Sequence, residues 1–235
     1  MRFSKRIYAL RDAVCKGESV ADIGTDHGYV PMLLVRDGIS PYVVMSDISK
    51  DSLSKAVETF SVVGIPADES QFRVGDGIST IQAAEVDDLI IAGLGGYTIR
   101  NILADDIDKT RSFSKLILQP RKYSGSLRYW LHHNGFRIIN ETLTSEGKFV
   151  CEIITAVPDN DMEFSCNYHE DDIHWAYPES LKNCDQNLLK KRIGWKLGSI
   201  QEQLDNLSNS GKEHGELESR LRADYQYLSS LIGNE

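Results

Sequence analysis

Four residues near the start of the chain have the types and spacing to bind a charged ligand. Asp22, Gly24, Asp26 and Gly28 lie between a short apolar run and an apolar helical segment. The apolar run predicts a strand, Gly24 allows a sharp turn, and Gly28 opens the helix. Two carboxylates at this turn would repel a pyrophosphate, which dinucleotide-binding turns hold at a helix N-terminus. They favour a ligand with a sulfonium and an ammonium group, such as S-adenosylmethionine, and the alternative is an ordinary turn of a parallel sheet.

Two more strand ends carry acids that suit the same ligand. Asp47 follows the first acid by about 25 residues, close to the roughly 20-residue offset of an acid that binds ribose hydroxyls. Asp76 lies between two glycines, where it would accept a hydrogen bond from the exocyclic amine of an adenine. We predict that Asp47, Ile48, Asp76 and Gly77 belong to the cofactor site. The alternative is that these acids cap turns or helices.

A glycine-rich loop follows the fourth apolar run. Gly93, Gly95 and Gly96 remove side chains where a backbone must approach a ligand closely. No lysine follows in the pattern of a phosphate-binding loop, which argues against a nucleoside triphosphate as ligand. We predict that Gly93 contacts the cofactor and that Gly95, Gly96 and Tyr97 contact the substrate.

The elements that must position these residues alternate regularly along the chain. A helix over 3–16 precedes five strand–helix units, and two strands over 136–143 and 149–157 close the series. This order predicts an α/β fold whose Rossmann-like sheet has the class I methyltransferase arrangement.

The pattern changes after residue 158. The acidic segment 159–172 predicts a linker, and two leucine-rich stretches with heptad spacing follow it, separated by a break at 208–211. Their apolar positions are Ile193, Leu197, Ile200, Leu204 and Leu207, then Leu217, Leu221, Leu228 and Leu231. We predict a cofactor-binding domain over 1–158 and a coiled-coil-like helical hairpin within 159–235. The hairpin could pack on its own domain or pair with another chain.

The composition is typical of a soluble globular protein. The 235 residues include 41% hydrophobic and 26% charged side chains, with a net charge of −9. No run approaches the roughly 20 apolar residues that span a bilayer, and we find no signal peptide, so we expect a cytoplasmic protein that binds no membrane. The cysteine spacing indicates neither a metal site nor a disulfide framework. A nucleic acid would have to bind local basic patches, at 2–11, 121–122 and 190–196.

Four motifs together resemble one bacterial enzyme family. They are residues 22–31, 75–77, 91–96 and 116–120. In this order they resemble the tRNA (adenine-N1)-methyltransferases that act on adenine 22, and the resemblance covers about residues 1–157. It implies a class I fold, S-adenosylmethionine as the cofactor and tRNA as the substrate. Arg121 is a departure, because such proteins more often have an asparagine at this point.

The implied reaction transfers a methyl group to N1 of an adenine, whose lone pair is the nucleophile. No strong base is needed, and positive charge moves from sulfur to the purine, so a carboxylate near the ring would lower the barrier. We expect Asp26 to have this role, with His27 as the second candidate and Tyr97 as the residue that stacks on the base. N1 lies on the pairing edge, so the base must be exposed or flipped out.

The same resemblance implies contacts with RNA. The expected substrate-binding residues beyond the glycine loop are Gln119, Arg121, Lys190, Lys191 and Arg192. Two alternatives remain open. One is a small-molecule methyltransferase, which the negative net charge favours, and the other is a non-catalytic S-adenosylmethionine-binding protein that interacts through its hairpin.

Overall fold

The computed structural model describes residues 3–161, 168–209 and 215–233. The predictions for Arg2, Cys166 and the end of the break at 210–211 lie outside these residues. The strands are β1 (Val20–Ile23), β2 (Val43–Asp47), β3 (Phe72–Val74), β4 (Asp88–Leu94), β5 (Lys115–Pro120), β6 (Phe136–Glu146) and β7 (Phe149–Pro158). The helices are α1 (Lys5–Asp12), α2 (Tyr29–Arg36), α3 (Lys50–Val63), α4 (Gly96–Asp105), α5 (Ile107–Ser112), α6 (Ser124–His133), α7 (Ile173–Ala176), α8 (Gln186–Asn209) and α9 (Gly215–Leu231).

The strands form one mixed sheet in the order β3-β2-β1-β4-β5-β7-β6. β1 to β5 are parallel, and β7 is antiparallel to both of its neighbours. The strand order reverses between β1 and β4, and such a switch point opens a crevice at the carboxyl ends of the two strands. The predicted Rossmann-like α/β fold is therefore confirmed.

Two apolar layers cover the sheet, because successive residues of a strand point to opposite faces. In β1, Ala21 and Ile23 belong to one layer and Val20 to the other. Leu10 of α1 and Leu33 of α2 are buried in the layer of Val20. This packing holds α1 beside α2 and close to the crevice.

The first helix is shorter than the predicted span of 3–16. Ser4 begins it by accepting a hydrogen bond from the Ile7 amide, and it ends at Asp12. Gly17 then adopts a φ of 99°, and its amide donates to the carbonyl of Ile39 at 2.8 Å. The chain needs this turn to enter β1, so the helical pattern cannot continue to residue 16.

The hairpin of α8 and α9 packs on the protein's own sheet. Ile193 and Ile200 of α8 and Leu228 of α9 are buried in one cluster with Leu143 of β6. The structure thus favours the first of the two alternatives, intramolecular packing. Leu217 is predicted as an apolar position of the second leucine-rich stretch but is exposed. The buried positions of α9 begin one turn later, at Leu221. The division of the chain near residue 158 stays a prediction.

A buried ion-pair network joins the hairpin to the sheet. The guanidinium of Arg128 in α6 is 1% exposed and contacts Glu141 of β6 at 2.7 Å and Glu152 of β7 at 2.6 Å. Glu152 also pairs with Arg192 of α8. Burial would raise the pKa of Glu152, but Arg192 and Arg128 hold that pKa below its usual range. The charge of Arg192 is thus engaged by Glu152 inside the protein, and a contact of Arg192 with RNA stays a prediction.

The described ranges contain neither a helix that could span a membrane nor a candidate metal site. No helix in them is long and apolar enough to cross a membrane. No group of histidine, cysteine, aspartate and glutamate side chains in them could hold a metal ion. Cys15, Cys151 and Cys184 are free thiols.

Candidate cofactor and substrate site

A cleft of about 330 Å³ opens at the carboxyl ends of β1 and β4. The turn after β1 forms one wall and the glycine loop after β4 forms another, while Arg6 of α1 and Arg121 close the sides. The cleft lies at the switch point of the sheet, where ligands of open α/β folds bind. The structure therefore brings together the first acidic turn, the glycine loop and two cationic side chains.

Asp22 is the buried carboxylate of this cleft, with 8% exposure. Its pKa is raised to about 6, mainly because burial disfavours the ionised form. The Thr25 hydroxyl donates to Asp22 Oδ2 at 2.7 Å, and this bond together with the nearby charge of Arg6 opposes the rise. Thr25 is not among the predicted site residues, and Arg6 is predicted only within the basic patch at 2–11. The sequence pattern that could have predicted the role of Thr25 is a hydroxyl side chain three residues after the strand-end acid Asp22.

The glycines of the first turn are required by the backbone. Gly24 has a φ of 76°, and its amide donates to the carbonyl of Ser46 at 2.8 Å. Gly28 has a φ of 64°, and a Cβ there would lie 2.9 Å from the Cβ of Ala56. Both glycines line the cleft, and Gly28 also lets α2 start directly against α3.

Asp26 and His27 lie on the exposed side of the same cleft. Asp26 pairs with Lys55 at 2.7 Å and lies 3.3 Å from Nε2 of His27. The hydrogen bond from Lys55 is the main cause that lowers the pKa of Asp26. The His27 ring stacks on Tyr29, with ring centres 5.0 Å apart. The lysine offsets much of the field that the predicted catalytic carboxylate would exert on a substrate.

The other predicted cofactor residues lie at or just after the carboxyl ends of β2, which neighbours β1, and of β3, which neighbours β2. Asp47 Oδ1 accepts a hydrogen bond from the Ser49 amide at 2.7 Å, so the turn-capping alternative holds for one oxygen of this carboxylate. Ile48 and Asp76 are exposed. Gly77 has a φ of 53°, which favours glycine at this turn. β1 and β2 pair in parallel with Ile23 opposite Ser46, so Asp22 and Asp47 lie near the same ends of adjacent strands.

Two predicted substrate residues have internal structural roles. Gly96 is buried, and a Cβ on it would lie 2.2 Å from the carbonyl oxygen of Tyr123. Gln119 is also buried, and its Oε1 accepts a hydrogen bond from Arg6 at 3.3 Å. Both residues are buried, so their internal contacts are what the structure describes, and a contact of either with the substrate stays a prediction. Gln119 helps to position Arg6 in the cleft.

The remaining predicted substrate residues are accessible. Gly95 caps the start of α4, while Gly93, the predicted cofactor contact of the same loop, has a φ of 81° and lines the cleft. Tyr97 lies exposed in the first turn of α4, and Arg121 lies exposed beside Gly93. A direct contact between any of them and a substrate stays a prediction.

A second hollow, of about 570 Å³, runs from Arg121 to the hairpin. Lys122, Tyr123, Trp195 and Lys196 are among its lining residues, and Trp195 is exposed. The lining also contains Glu152, which pairs with Arg128 and Arg192, and two acids from the segment before α7, the exposed Asp171 and the half-buried Asp172. Lys190 and Lys191 lie exposed on α8, and Nζ of Lys191 lies over the ring of Trp195, 5.2 Å from its centre. Cations and aromatic rings thus continue from the cleft to the hairpin.

Comparison with known proteins gives a consistent result. A family model described as a methyltransferase domain matches residues 3–154. The tRNA (adenine(22)-N(1))-methyltransferase of Bacillus subtilis is 30% identical over 156 residues, which are 66% of this chain and 65% of that protein. A putative tRNA methyltransferase of Mycoplasma pneumoniae is 34% identical over 139 residues, which are 57% of this chain and 61% of that protein. The matches thus span slightly less than two thirds of these relatives.

Solved structures match over nearly the whole length. The B. subtilis M1A22 tRNA methyltransferase TrmK has a TM-score of 0.81 at 25% identity, covering 98% of this chain and 99% of that one. A putative tRNA (m1A22) methyltransferase of Streptococcus pneumoniae, in complex with S-adenosyl-L-methionine, has a TM-score of 0.76 at 24% identity, covering 98% and 100%. The similarity to the S. pneumoniae structure shows a shared fold, and its coverage of 98% of this chain extends into the C-terminal hairpin.

Proposed function

This chain belongs to the methyltransferase-domain family, and we propose that it transfers the methyl group of S-adenosylmethionine to N1 of an adenine in tRNA. Similarity to the B. subtilis enzyme suggests adenine 22 as the target. The observation that carries the proposal is the cleft at the switch point, where a buried carboxylate faces a glycine loop. We further propose that the protein acts in the cytoplasm.

The cleft fits a cationic cofactor. Burial raises the pKa of Asp22 to about 6, so the free protein holds its carboxylate in an environment that disfavours a negative charge. A ligand with an ammonium and a sulfonium would favour the ionised form. S-adenosylmethionine supplies an electrophilic methyl group when bound. Asp22 and the turn at Gly24 would hold its cationic end, Asp47 its ribose, and Asp76 with Gly77 its adenine.

The protein contributes to the reaction by positioning the reactants and by stabilising the positive charge that develops on the purine. The adenine N1 lone pair attacks directly, so no side chain has to remove a proton from the nucleophile. Asp26 and His27 lie at the open side of the cleft, where the Asp26 carboxylate would contribute a negative field near the purine. Lys55 reduces the contribution of Asp26. We therefore propose that Asp26 and His27 act together with groups of the β4 and β5 loops.

The tRNA would bind along the cationic path between the cleft and the hairpin. Arg121 and Lys122 begin this path, and Lys196 lines the same hollow. Lys190 and Lys191 extend it along the exposed side of α8. Such local patches are needed because the net charge of −9 opposes a polyanion.

Asp47→Ala is expected to weaken S-adenosylmethionine binding by about 1–3 kcal/mol, because it removes an acceptor for the ribose hydroxyls. Titration calorimetry with pure protein would measure the change. Asp205→Ala is the matched control, since Asp205 is an exposed acid of α8 far along the chain from the cleft. Equal affinities of the Asp47 variant and the control would contradict the assignment of the ribose site.

Incubation with unmodified tRNA and labelled S-adenosylmethionine is expected to give 1-methyladenosine at a single site. The tRNA would be digested to nucleosides, and the labelled product identified by mass spectrometry. Label in N6-methyladenosine or in a guanosine would show that the glycine loop presents another atom. Absence of label from every tRNA would favour a small-molecule substrate or a non-catalytic binding protein.

The same assay tests the cationic path through its salt dependence. Each lost phosphate contact changes the slope of log affinity against log salt by about one unit. Lys190→Ala and Lys191→Ala should therefore flatten the slope and leave cofactor binding unchanged. Identical slopes for the variants and the unmodified protein would place the RNA elsewhere.

A further inference from the structure

We infer that Tyr97 and Tyr123 form an aromatic platform that receives the target adenine and stabilises the positive charge that develops on it. The inference rests on the proposed function and adds Tyr123 to Tyr97, the predicted stacking residue. The two rings contact each other with centres 4.7 Å apart and planes inclined by 41°. They remain 41% and 59% exposed, which is unusual for two large rings already in contact.

The platform lies beside the cofactor cleft, because Tyr123 lines the second hollow, which shares Arg121 with that cleft. Arg121, two residues before Tyr123, lines that cleft together with Gly93 and Leu94 of the glycine loop. The Arg121 amide donates to the carbonyl of Leu94 at 2.7 Å, so the loops after β4 and β5 are joined beside the cleft. A base on the two rings would therefore lie next to the cofactor position.

Tyr123 is held in a backbone conformation that a bulky residue rarely adopts. Its φ is 59° and its ψ is 39°, in the left-handed region that favours glycine. Gly96 maintains this conformation, because its amide donates to the carbonyl of Lys122 at 2.8 Å and its missing Cβ leaves space for the Tyr123 carbonyl. A ring kept at such a position indicates that the ring itself is needed there.

The two rings differ in accessibility. Arg100 lies over the ring of Tyr97, 5.0 Å from its centre, and pairs with Glu170 at 2.9 Å. Tyr97 is thus partly covered and supported from its own helix. Tyr123 is the more exposed ring and offers the larger free surface to a base.

The chemistry explains why aromatic rings suit this position. Methylation of N1 forms the carbon–nitrogen bond as the carbon–sulfur bond breaks, and the positive charge of the sulfonium passes to the purine. The face of a tyrosine ring attracts a cation, so stacking strengthens as the charge develops. Interactions that are stronger in the transition state raise kcat as well as affinity. The platform therefore supplies stabilisation that the Asp26–Lys55 pair cannot fully supply.

Tyr123→Gly is the informative variant, because glycine adopts the left-handed conformation without strain and the fold should be retained. We expect kcat/KM for tRNA to fall by about 10- to 100-fold, the range of one lost base–aromatic stack. Tyr123→Phe keeps the ring and should recover most of the activity. Cofactor affinity by calorimetry and the thermal midpoint should not fall in either variant.

Two further measurements separate stacking from a merely structural role. Progressively fluorinated phenylalanines at position 123 keep the shape of the ring but weaken its negative face, so kcat should fall stepwise. A tRNA with 2-aminopurine at the target position should be quenched more by the unmodified protein than by Tyr123→Gly. Leu217→Ala is the control, since it removes an exposed apolar side chain from α9.

The inference and the proposed function fail in different ways. If the unmodified protein methylates no RNA, the proposed function is wrong and the platform has no base to receive. If it forms 1-methyladenosine and Tyr123→Gly does so with unchanged kcat and KM, the platform is wrong and the proposed function stands. A loss of activity shared equally by Tyr123→Phe would likewise overturn the role of the ring.

Discussion

Arg128→Met is expected to lower the free energy of unfolding by about 3–5 kcal/mol, the usual loss when one partner of a buried ion pair is removed. The Arg128 guanidinium lies between Glu141 and Glu152, at 2.7 and 2.6 Å. It also donates to the carbonyl of Trp175 at 3.2 Å. Methionine would fill much of the volume but leave two carboxylates in a site that is poor in water. Urea unfolding of the pure protein would measure the loss.

Arg137→Met is the matched control for this change. Arg137 pairs with Asp159 at 2.8 Å, but its side chain is 59% exposed, and such surface pairs contribute about 0–1 kcal/mol. Adding Glu141→Gln to the Arg128 variant should recover part of the stability, because it removes one uncompensated charge. If both arginine variants lose the same small amount, the network does not hold the hairpin to the sheet.

The sheet and its acidic strand ends could be predicted because they depend on local patterns. Buried parallel strands require continuous apolar runs, and Asp22 and Asp47 follow such runs directly. The bounds of α3 also depend on local residues, because Ser49 caps its start and Gly64 ends it in the left-handed conformation. Each of these features is set by residues within one turn or strand.

The internal contacts of three predicted substrate residues could not be predicted, because their surroundings come from distant segments. Gln119 accepts a hydrogen bond from Arg6, which is 113 positions away in the chain. Arg192 pairs with Glu152, 40 positions away. Gly96 is shaped by the backbone at Tyr123. A polar or small residue near a strand end indicates a ligand site only when no other part of the chain fills the same space, and spacing alone does not contain that information.

Asp22→Asn is expected to stabilise the free protein above about pH 6 while it weakens cofactor binding. The pKa of Asp22 is raised from 3.8 to about 6, so the folded state binds this proton more tightly than the unfolded state. The stability that the protonated acid contributes is fully present below 3.8 and is lost as the pH rises through about 6. Asparagine remains neutral and can still accept the hydrogen bond from Thr25, so it avoids this loss.

The raised pKa of Asp22 sets the size of the stability gain expected for Asp22→Asn. At about 1.4 kcal/mol per pKa unit, the gain in stability should reach about 3 kcal/mol near pH 7.5 and shrink towards pH 5. Urea unfolding of the two free proteins at these pH values tests it. S-adenosylmethionine should bind the variant about 10- to 100-fold more weakly, as for a lost charge-assisted contact. The affinity of the unmodified protein should also fall between pH 7 and about pH 5, whereas that of the variant should change little. A variant that is less stable at pH 7.5, or that binds the cofactor normally, would mean that Asp22 serves the turn rather than the cationic ligand.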